Sequence, residues 1–428
     1  MEKVFIKDLA NFVDKEVEIN AWVSNHRSSG KIAFWQLRDG TGFTQAILAQ
    51  ADLDNKQWDE AAKVTLETSV KISGKVAKHP KKDEYEIQVA NFEFYQIAED
   101  YPIGKKEHGV DFLMDNRHLW LRSSKQWAVQ RVRNTLIQAT YQYMKEHAFT
   151  KIDSPILTPN ACEGTTELFE LEYFDTKAYL SQSGQLYLEA AIAAHGRVFD
   201  FGPVFRAEKS KTRRHLTEFW MMDAEMAFID LKDNLDTQED LIRFMVQAAL
   251  DNNQEELKIL ERDTKPLDNI TKPFYRITHA EAVKKLQGMG SKIKDNDDLG
   301  AEDETKLTQE FDNPIFVTHY PAEIKSFYMK RDANGSKAEC ADLLAPEGYG
   351  EIIGGSQRED DYDELVKRVK EHKLPMDEFA WYLDLRKYGS VPHGGFGFGL
   401  ERVVAWVCGV QHVRETIPFP RTIHRIRP

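Results

Sequence analysis

Cysteine is scarce in this sequence: the 428 residues include three, Cys162, Cys340 and Cys408. They lie far apart, are odd in number and never form a CxxC pair. Disulfide-rich domains and structural zinc sites depend on closely spaced cysteines, so both are disfavoured. We therefore expect a protein of the reducing cytoplasm.

Long apolar runs are also missing. No stretch approaches the roughly 20 uninterrupted apolar residues that span a bilayer. The first residues, MEKVFIKDLANFVDKEV, lack the apolar core of a signal peptide. The sequence thus predicts a soluble chain with no membrane partner.

Positive charge is in deficit, because 57 Lys and Arg stand against 70 Asp and Glu and leave a formal net charge of -13. A nucleic-acid partner would therefore have to bind at local basic patches rather than through the overall field. The apolar fraction of 41% excludes a disordered or collagen-like chain. The length allows roughly two or three domains.

The first part of the chain carries short β runs separated by turn residues such as SSGK, DGTG and KKDE. Five runs with a helical stretch near 54–64 predict a five-stranded oligonucleotide-binding (OB) barrel and its helix. A charged segment with Pro and Gly, EDYPIGKKEHG, follows and is typical of a domain boundary. The predicted domains are a barrel over 1–98, a linker over 99–118 and a second domain over 119–428.

The predicted second domain combines helices with strands that do not alternate regularly. A long helical pattern precedes the extended segment TKIDSPILTP, in which Pro155 cannot take a central paired position. The runs RVFDFGPVFRAE and EFWMMDAEMAF predict an antiparallel pair joined by a basic loop. These patterns indicate an α+β domain with an antiparallel sheet flanked by helices. The highly charged segment within about 280–312 is interpreted as a solvated helical insertion without a function.

The pattern FRAEKSKTRRHLTEF brings a cation, a carboxylate and an aromatic ring together. Arg206 and Glu208 point to the same face if they lie on one strand, and Phe219 on the returning strand lies near them. A guanidinium can bind phosphate oxygens and a ring can stack on a purine, so the combination suits a nucleotide. For each residue alone, a hairpin with solvated charges is the alternative. The intervening loop gathers positive charge on an acidic protein, at Lys209, Lys211, Arg213, Arg214 and His215.

The pattern HGGFGFGLERVVAWVCG alternates glycine with apolar residues. As a strand it would present one apolar face and one face without side chains, formed by Gly395, Gly397 and Gly399. A flat ligand could lie on that bare face, with Arg402 of the following helix covering it. Alone the pattern is weak, because glycine in strands also marks bends and the spacing differs from the GxGxxG fingerprint.

Two carboxylates, Asp342 and Glu351, flank a turn that contains glycine and proline. Both could converge on Mg²⁺, which typically takes one or two protein carboxylates together with phosphate oxygens. Surface carboxylates are common, so the pair gains weight only from lying between the two candidate nucleotide patterns.

Together these patterns resemble the class II aminoacyl-tRNA synthetases with an N-terminal OB barrel, and most closely the bacterial asparaginyl enzymes. TKIDSPIL is similar to the first motif of that family, FRAE with the basic loop and HLTEF to the second, and GFGFGLER to the third. The similarity extends over essentially the whole chain. Three ordered motifs at these spacings are far more specific than any single one.

The resemblance implies an ATP site and a reaction without a protein nucleophile, in which the amino-acid carboxylate attacks the α-phosphorus and the product esterifies the tRNA ribose. Arg206 and Arg402 are the implied catalytic residues, the first on the α-phosphate and the second covering the adenine. The other implied ATP ligands are Phe219 on the adenine, Arg214 and His215 at the distal phosphates, Glu208 at the adenine amino group or the tRNA end, and Glu351, which with Asp342 would hold Mg²⁺. Related aspartyl enzymes add a serine ligand where this chain has Gly354.

The resemblance also bears on the amino acid. In aspartyl enzymes a lysine pairs with the substrate carboxylate, and the matching position here is Leu188. An asparagine amide could donate to Glu189 and accept from Arg358, whereas a second carboxylate would be rejected. Asparagine is therefore favoured over aspartate, with Gln185 on the same helix face; a purely structural Glu189–Arg358 pair is the alternative. Glu163 resembles a loop residue that could bind the substrate ammonium group.

The implied partners are tRNA(Asn), L-asparagine, ATP with Mg²⁺ and a second copy of the chain. Pro155 would lie at the homodimer interface, and Lys209, Lys211 and Arg213 would dock the tRNA acceptor end. The implied anticodon-binding residues are Arg27, Phe34 and Gln45, with a core phenylalanine as the alternative for Phe34. Other hypotheses are an aspartyl-tRNA synthetase, an aspartate-amidating relative, and a nucleic-acid binder without catalysis.

Overall fold

The structure, a computed structural model, describes residues 1–159, 167–210 and 212–428. The chain divides into two compact units, Met1–Ser123 and Ser124–Pro428. The segment predicted as a linker, 99–118, thus lies within the first unit, where it carries two short helices.

The first unit is a closed β-barrel, as the sequence predicts. Its strands are β1 (Glu2–Lys3), β2 (Glu16–Ser29), β3 (Ile32–Arg38), β4 (Phe43–Ala49), β5 (Ser69–Lys78) and β6 (Tyr85–Gln96). The order β1-β2-β3-β4-β6-β5, with an additional β2–β5 pairing, closes the barrel through its five long strands. In β3, Ala33, Trp35 and Leu37 are buried while Phe34 and Gln36 face outward and are half-buried. This alternation of buried and outward residues is the sequence pattern that predicts the strands.

Helices of the first unit lie between and after the barrel strands. They are α1 (Asn55–Ala62), α2 (Val110–Asp115) and α3 (Arg117–Trp120), together with 3-10 turns at Ile6–Phe12 and Gln50–Asp52. α1 begins where a capping residue stands: the Asp54 carboxylate accepts a hydrogen bond from the Gln57 backbone N–H over 2.7 Å. Such a cap satisfies an amide that the helix itself leaves unpaired.

The second unit combines a large sheet with helices. Its strands are β7 (Thr150–Lys151), β8 (Leu157–Thr158), β9 (Glu170–Tyr173), β10 (Thr176–Leu180), β11 (Arg197–Phe199), β12 (Gly202–Phe205), β13 (Glu218–Ala227), β14 (Tyr275–Thr278), β15 (Ile315–Thr318), β16 (Cys340–Ala345), β17 (Gly350–Gln357) and β18 (His393–Gly399). Its helices are α4 (Ser124–Glu146), α5 (Gln185–His195), α6 (Leu231–Asn252), α7 (Gln254–Ile259), α8 (Lys265–Asp268), α9 (His279–Gly288), α10 (Ala301–Thr308), α11 (Tyr362–Glu371), α12 (Met376–Asp384) and α13 (Leu400–Cys408), with 3-10 turns at Asn269–Thr271, Ala322–Ile324 and Val413–Glu415.

Nine of these strands form one sheet in the order β14-β15-β16-β17-β18-β13-β11-β7, with β12 also paired to β13. The pairings around β13, β16, β17 and β18 are antiparallel, which confirms the predicted α+β class. A separate small sheet joins β8, β10 and β9.

One face of the large sheet forms the core with α4, α6 and α13. Phe396 and Phe398 of β18 and Met222 of β13 are buried there. Burying a side chain of this size stabilises the fold by about 1.5–3 kcal/mol. Strand residues alternate between faces, so Gly397 and Asp223 point to the opposite face. We call that opposite face of β13, β16, β17 and β18 the site face.

The predicted strand through Arg206 ends earlier than expected. β12 stops at Phe205, and the Arg206 N–H makes one further bond to the Thr217 carbonyl over 3.0 Å. The chain then turns, with the Ser210 N–H donating to the Glu208 carbonyl over 2.9 Å. Arg206 and Glu208 therefore do not share a strand face, because pairing with β13 ends where the chain turns.

The segment interpreted as a solvated insertion contributes to a buried apolar cluster. Ile293, Leu299 and Leu307 are buried and pack in one cluster with Ile315 and Val317 of β15. The interpretation was wrong on this point because these apolar residues stand singly among charged ones. They become buried only when α9 and α10 pack together beside the sheet.

Within the described ranges, no helix combines the length and the apolar character needed to cross a membrane.

Candidate active site

A cavity of about 680 Å³ opens over the site face of the large sheet. Its walls come from β13, β17, β18, the start of α13, the loop between β12 and β13, and the segment before β16. The sequence-predicted residues that line it are Gln185, Arg206, Glu208, Arg214, His215, Phe219, Asp342, Glu351, Arg358 and Arg402. Two patterns distant in the sequence, FRAE to HLTEF and GFGFGLER, thus meet in one cavity.

The floor of the cavity is a row of four cross-strand neighbours. Asp223 pairs with Gly397, Gly397 with Gly354, and Gly354 with Asp342. With neighbouring strands about 4.8 Å apart, the two aspartates stand about 14 Å apart with two glycines between them. The row is therefore bare of side chains at its centre, where Gly397 and Gly354 form what we call the glycine strip, and carboxylates stand at both of its ends.

Close approach of carboxylates explains two of the glycines of β18. A Cβ atom at Gly397 would lie 2.3 Å from Oδ1 of Asp223, and one at Gly395 would lie 2.2 Å from Oε1 of Glu225. Any larger residue at either position would displace a neighbouring carboxylate. Two of the three alternating glycines thus make room for acidic side chains of β13, which the sequence interpretation did not anticipate.

One end of the cavity combines an aromatic ring with cations. The Phe219 ring packs 3.7 Å from the position a Cβ atom would take at Gly399. Arg402 donates from Nη1 to the carbonyl and to Oε2 of Glu351, both over 3.0 Å. Burial and then the charge of Arg402 lower the pKa of His215. The ring and the guanidinium both line the cavity, and both are groups that can stack on a flat base.

Arg214 is buried at the wall of the same end. Its guanidinium donates to Oε2 of Glu304 over 2.6 Å, to Oγ1 of Thr305 over 2.6 Å and to the Gly348 carbonyl over 2.8 Å. Arg213 donates to the Gly348 carbonyl as well, over 2.9 Å. The basic loop is thus partly anchored to α10 and to the turn before β17.

Asp342 and Glu351 converge above Gly354, as the sequence predicts. A Cβ atom there would lie 3.4 Å from Oε1 of Glu351 and 3.7 Å from Oδ1 of Asp342. Burial raises the pKa of Asp342 against the opposing effect of Lys325, whose Nζ donates to its Oδ2 over 3.0 Å. Two hard carboxylate oxygens that line one cavity fit Mg²⁺. Gly354 supplies no third side-chain ligand, and the described part of the chain contains no cluster of three ligating side chains.

At the other end of the cavity, the lining residue Arg358 forms a buried ion pair with Glu225, which the sequence interpretation missed. Arg358 lines the cavity and donates from Nε to Oε1 of Glu225 over 3.1 Å and from Nη1 to Oγ of Ser356 over 2.7 Å. Burial raises the pKa of Glu225 to about 7, although Arg358 acts in the opposite direction. The available signal was the alternation in β13, where Asp223 and Glu225 stand between apolar residues that form the core.

The structure places Glu189 and Leu188 elsewhere than the sequence interpretation did. Glu189 is buried behind Gln185, which donates to it over 3.1 Å, and it also accepts from Arg386 over 2.6 Å. Leu188 is fully buried and packs with Ile192 and its cluster, away from the residues that line the cavity. Arg358 hydrogen-bonds to Glu225 rather than to Glu189, because Glu225 is its neighbour on the site face.

Asp223 is the second acidic residue that the sequence interpretation missed. Its Oδ2 accepts from Oγ of Ser183 and from the backbone N–H of Gly184, both over 2.8 Å. A second carboxyl group, that of Asp200, accepts from the Asp223 backbone N–H, and burial and then the Asp223 charge raise the pKa of Asp200 to about 7. Asp223 is thus fixed at the cavity floor with its other oxygen over Gly397.

Comparison with protein-family models agrees with this geometry. A model described as tRNA synthetases class II (D, K and N) matches residues 109–423. The chain belongs to the class II tRNA synthetases. A second model, described as an OB-fold nucleic acid binding domain, matches residues 17–95 of the synthetase, which include β2 to β5 and most of β6.

Solved structures resemble the synthetase over its full length. Asparaginyl-tRNA synthetase from Pyrococcus horikoshii, complexed with asparaginyl-adenylate, is 44% identical, with a TM-score of 0.96 and 100% of both chains covered. The Entamoeba histolytica asparaginyl enzyme with the same adenylate is 33% identical, with a TM-score of 0.91 and 100% and 99% covered. An aspartyl-tRNA synthetase from Entamoeba histolytica is 26% identical, with a TM-score of 0.85 and 100% and 93% covered.

The predicted anticodon-binding residues lie on the outside of the barrel. Phe34 faces outward from β3, and the exposed Arg27 guanidinium lies 4.6 Å from its ring centroid. Gln45 on the neighbouring strand donates to Oε2 of Glu86 over 3.4 Å. The alternative of a core phenylalanine does not hold, since Phe34 points away from buried Trp35.

The remaining predicted residues lie at the surface or outside the described ranges. Pro155 is exposed, as are its apolar neighbours Ile156 and Leu157. Lys209 is exposed beside the cavity loop. Glu163 and Lys211 lie outside the residues that the structure describes.

Proposed function

We propose that this synthetase activates L-asparagine with ATP and transfers it to tRNA(Asn). The observation that carries the proposal is the Arg358–Glu225 pair: Arg358 lines the cavity at the end remote from Phe219, and Glu225 is buried against it. Along β13, Glu225 stands about 20 Å from Phe219, so the amino acid and the base take opposite ends. Similarity to two asparaginyl enzymes at 44% and 33% identity, against 26% for an aspartyl enzyme, supports the same choice.

An amide side chain matches the Arg358–Glu225 pair because it carries one acceptor and one donor. Arg358 has N–H groups beyond those bonded to Glu225 and Ser356, and one of these can donate to the amide oxygen. The amide NH₂ can donate to Glu225. An aspartate carboxylate would instead meet the Glu225 carboxylate in a buried site, where like charges repel strongly. The pair therefore favours asparagine.

Asp223 and Gln185 are the proposed ligands of the substrate ammonium group, together with Glu163, for which the family resemblance implies the same role. Asp223 presents an oxygen over the Gly397 strip, and its other oxygen is held by Ser183 and Gly184. A carboxylate already fixed in place loses little freedom on binding a cation. This places the substrate carboxylate over the glycine strip, toward the nucleotide.

The first step joins the two substrates. An oxygen of the asparagine carboxylate attacks the α-phosphorus of ATP, the bond to the β-phosphate oxygen breaks, and pyrophosphate leaves. Arg206 binds the α-phosphate oxygens, Phe219 and Arg402 hold the adenine with Glu208 at its amino group, and Arg214 with His215 faces the distal phosphates. Catalysis then consists of positioning and charge neutralisation, since no protein nucleophile is needed.

Asp342 and Glu351 are the proposed ligands of Mg²⁺, which supplies positive charge to the phosphate oxygens when bound. Lys325 orients Asp342 from the opposite side, over 3.0 Å. In the second step a hydroxyl of the terminal tRNA ribose attacks the activated carbonyl, and AMP leaves with the electron pair of the broken bond.

For the tRNA, we propose that Arg27, Phe34 and Gln45 contact the anticodon and that Lys209, Lys211 and Arg213 dock the acceptor end. The outward Phe34 offers a stacking surface and Arg27 a cation beside it. We also propose a homodimer through Pro155, whose exposed neighbours Ile156 and Leu157 would be covered by a second copy, and a cytoplasmic location. Light scattering during size exclusion tests the dimer, and a monomer mass would contradict it.

Transfer of labelled asparagine to tRNA tests the proposal directly. The protein should charge tRNA(Asn) with asparagine in the presence of ATP and Mg²⁺, and tRNA oxidised at its terminal ribose should accept none. Arg206→Ala should abolish adenylate formation while tRNA binding persists. Charging with aspartate instead would favour the aspartyl alternative. Binding of tRNA without charging by either amino acid would favour the non-catalytic alternative.

A further inference from the structure

Helix α10 holds a cation of the cavity wall in place. Glu304 and Thr305, successive residues of α10, both accept hydrogen bonds from the Arg214 guanidinium over 2.6 Å. The Gly348 carbonyl accepts a third over 2.8 Å. The side chains of Arg214 and Glu304 are 8% and 13% exposed. Three bonds to a planar guanidinium fix both its position and its plane.

Glu304 also contacts the segment that carries a proposed Mg²⁺ ligand. The Oε2 atom that binds Arg214 accepts the backbone N–H of Glu351 over 2.9 Å. A Cβ atom at Gly350 would lie 2.3 Å from Nη1 of Arg214 and from Oε2 of Glu304. The absence of a side chain at Gly350, where φ is +73°, allows this contact. One carboxylate thus joins the basic loop to the start of β17.

The geometry points to Glu304 as a positioning residue for ATP, with Thr305 assisting. This inference rests on the proposed function. Glu304 fixes Arg214 at the distal-phosphate end of the cavity and holds the backbone of Glu351 beside it. The charged segment before β15, which the sequence suggests is an inert insertion, therefore positions residues of the nucleotide half of the site.

The amino-acid half is separate from this contact. Arg358 and Glu225 lie at the opposite end of the site face and have no hydrogen bond to α10 among the described residues. Loss of the Glu304 carboxylate should therefore weaken ATP binding and leave asparagine binding nearly unchanged. A general loss of folding would instead weaken the binding of both ATP and asparagine.

Three variants test the inference by the Michaelis constants of each substrate in pyrophosphate exchange. Glu304→Gln should raise the KM for ATP about 10-fold or more, since hydrogen bonds to charged groups are involved, and change the KM for asparagine less than about twofold. Thr305→Val removes one hydroxyl at nearly constant volume and should raise the KM for ATP by a smaller factor. Glu302→Gln, on the exposed side of α10, is the control and should change neither constant.

Two further measurements distinguish this role of Glu304 from a failure of the proposed activity and from an effect that is independent of Arg214. Calorimetric titration with ATP alone should show the same weakening in Glu304→Gln, whether or not the wild-type protein exchanges pyrophosphate. In the background of Arg214→Ala, Glu304→Gln should add less than about twofold, because the glutamine amide oxygen can still accept the Glu351 N–H and the loss therefore passes through Arg214. Unchanged ATP binding in both Glu304→Gln and Thr305→Val, an equal rise of both Michaelis constants, or a fully additive loss with Arg214→Ala would overturn the inference.

Discussion

Nε of Arg358 donates a hydrogen bond to Oε1 of Glu225 over 3.1 Å, and both side chains are buried. Arg358 lines the end of the cavity where the amino acid is proposed to bind. Removing one partner of a buried pair leaves the other uncompensated, which costs about 3–5 kcal/mol. The Arg358–Glu225 pair therefore stabilises this part of the site and determines the charge next to the substrate side chain.

Glu225→Gln should lower kcat/KM for asparagine about 100-fold, because the amide loses a charged acceptor and Arg358 loses its partner. The ratio of asparagine to aspartate use should fall at the same time, since the repulsion of aspartate is removed. Pyrophosphate exchange with each amino acid measures both effects. Glu218→Gln, on the same strand but on the other face, should leave both constants within about twofold; an unchanged ratio in Glu225→Gln would contradict this role.

The preference for asparagine should depend on pH through Glu225. Burial raises its pKa to about 7, with Arg358 opposing and the Glu189 charge adding to the shift. Below that pH the protonated form repels aspartate less, and above it the ionised form accepts from the amide. The asparagine-to-aspartate ratio of kcat/KM should therefore rise as pH increases through about 7. A ratio that stays flat from about pH 6 to 8, or one that rises equally in Glu225→Gln, would assign the preference to another group.

The buried Glu189 network should stabilise the fold. Glu189 accepts from Arg386 over 2.6 Å, from Tyr382 over 2.8 Å and, at 3.1 Å, contacts the His393 ring. Arg386→Met should lower the free energy of unfolding by about 3–5 kcal/mol, measured with chemical denaturant. Lys387→Met, which breaks an exposed pair next to it, should cost less than about 1 kcal/mol.

The same network has a defined pH dependence. Burial opposes ionisation of Glu189, yet Arg386 and then His393 hold its pKa well below the ordinary 4.5. Its stabilising contribution is thus fully present above pH 4.5 and is lost as the pH falls further. The difference between wild type and Arg386→Met should shrink in acid, and a difference that is independent of pH would contradict the assignment.

Leu188→Lys should act on stability rather than on specificity. Leu188 is fully buried in an apolar cluster with Ile192 and Val198, so a lysine there would be an unpaired buried charge. The expected loss is about 3–5 kcal/mol, against less than about 1.5 kcal/mol for Leu188→Met. The asparagine-to-aspartate ratio of the folded fraction should stay unchanged. A clear shift toward aspartate at wild-type stability would instead return Leu188 to the substrate pocket.

The barrel and the motif strands could be predicted because their signal is local. Alternation in β3, with Trp35 inward and Phe34 outward, is legible within a few residues. The glycine alternation around Gly397 and the cations near Arg206 are similarly compact. The convergence of Asp342 and Glu351 followed from two carboxylates that flank one turn.

The ion pairs of the site could not be predicted, because their partners are distant in the chain. Glu304 lies 90 positions after its partner Arg214, and Arg358 lies 133 positions after its partner Glu225. An isolated glutamate in a charged segment looks solvated until packing of α10 brings a partner to it. The pairing of Glu189 with Arg386 was missed for the same reason. Arg386 lies on a segment after α12 that no local pattern connects to α5.

The preference of the synthetase for asparagine is tested by amino-acid-dependent exchange of pyrophosphate into ATP, measured with asparagine and aspartate side by side on the unmodified protein. We expect Mg²⁺-dependent exchange with asparagine and a kcat/KM at least about 100-fold higher than with aspartate. Faster exchange with aspartate, or no exchange with either amino acid, would contradict it.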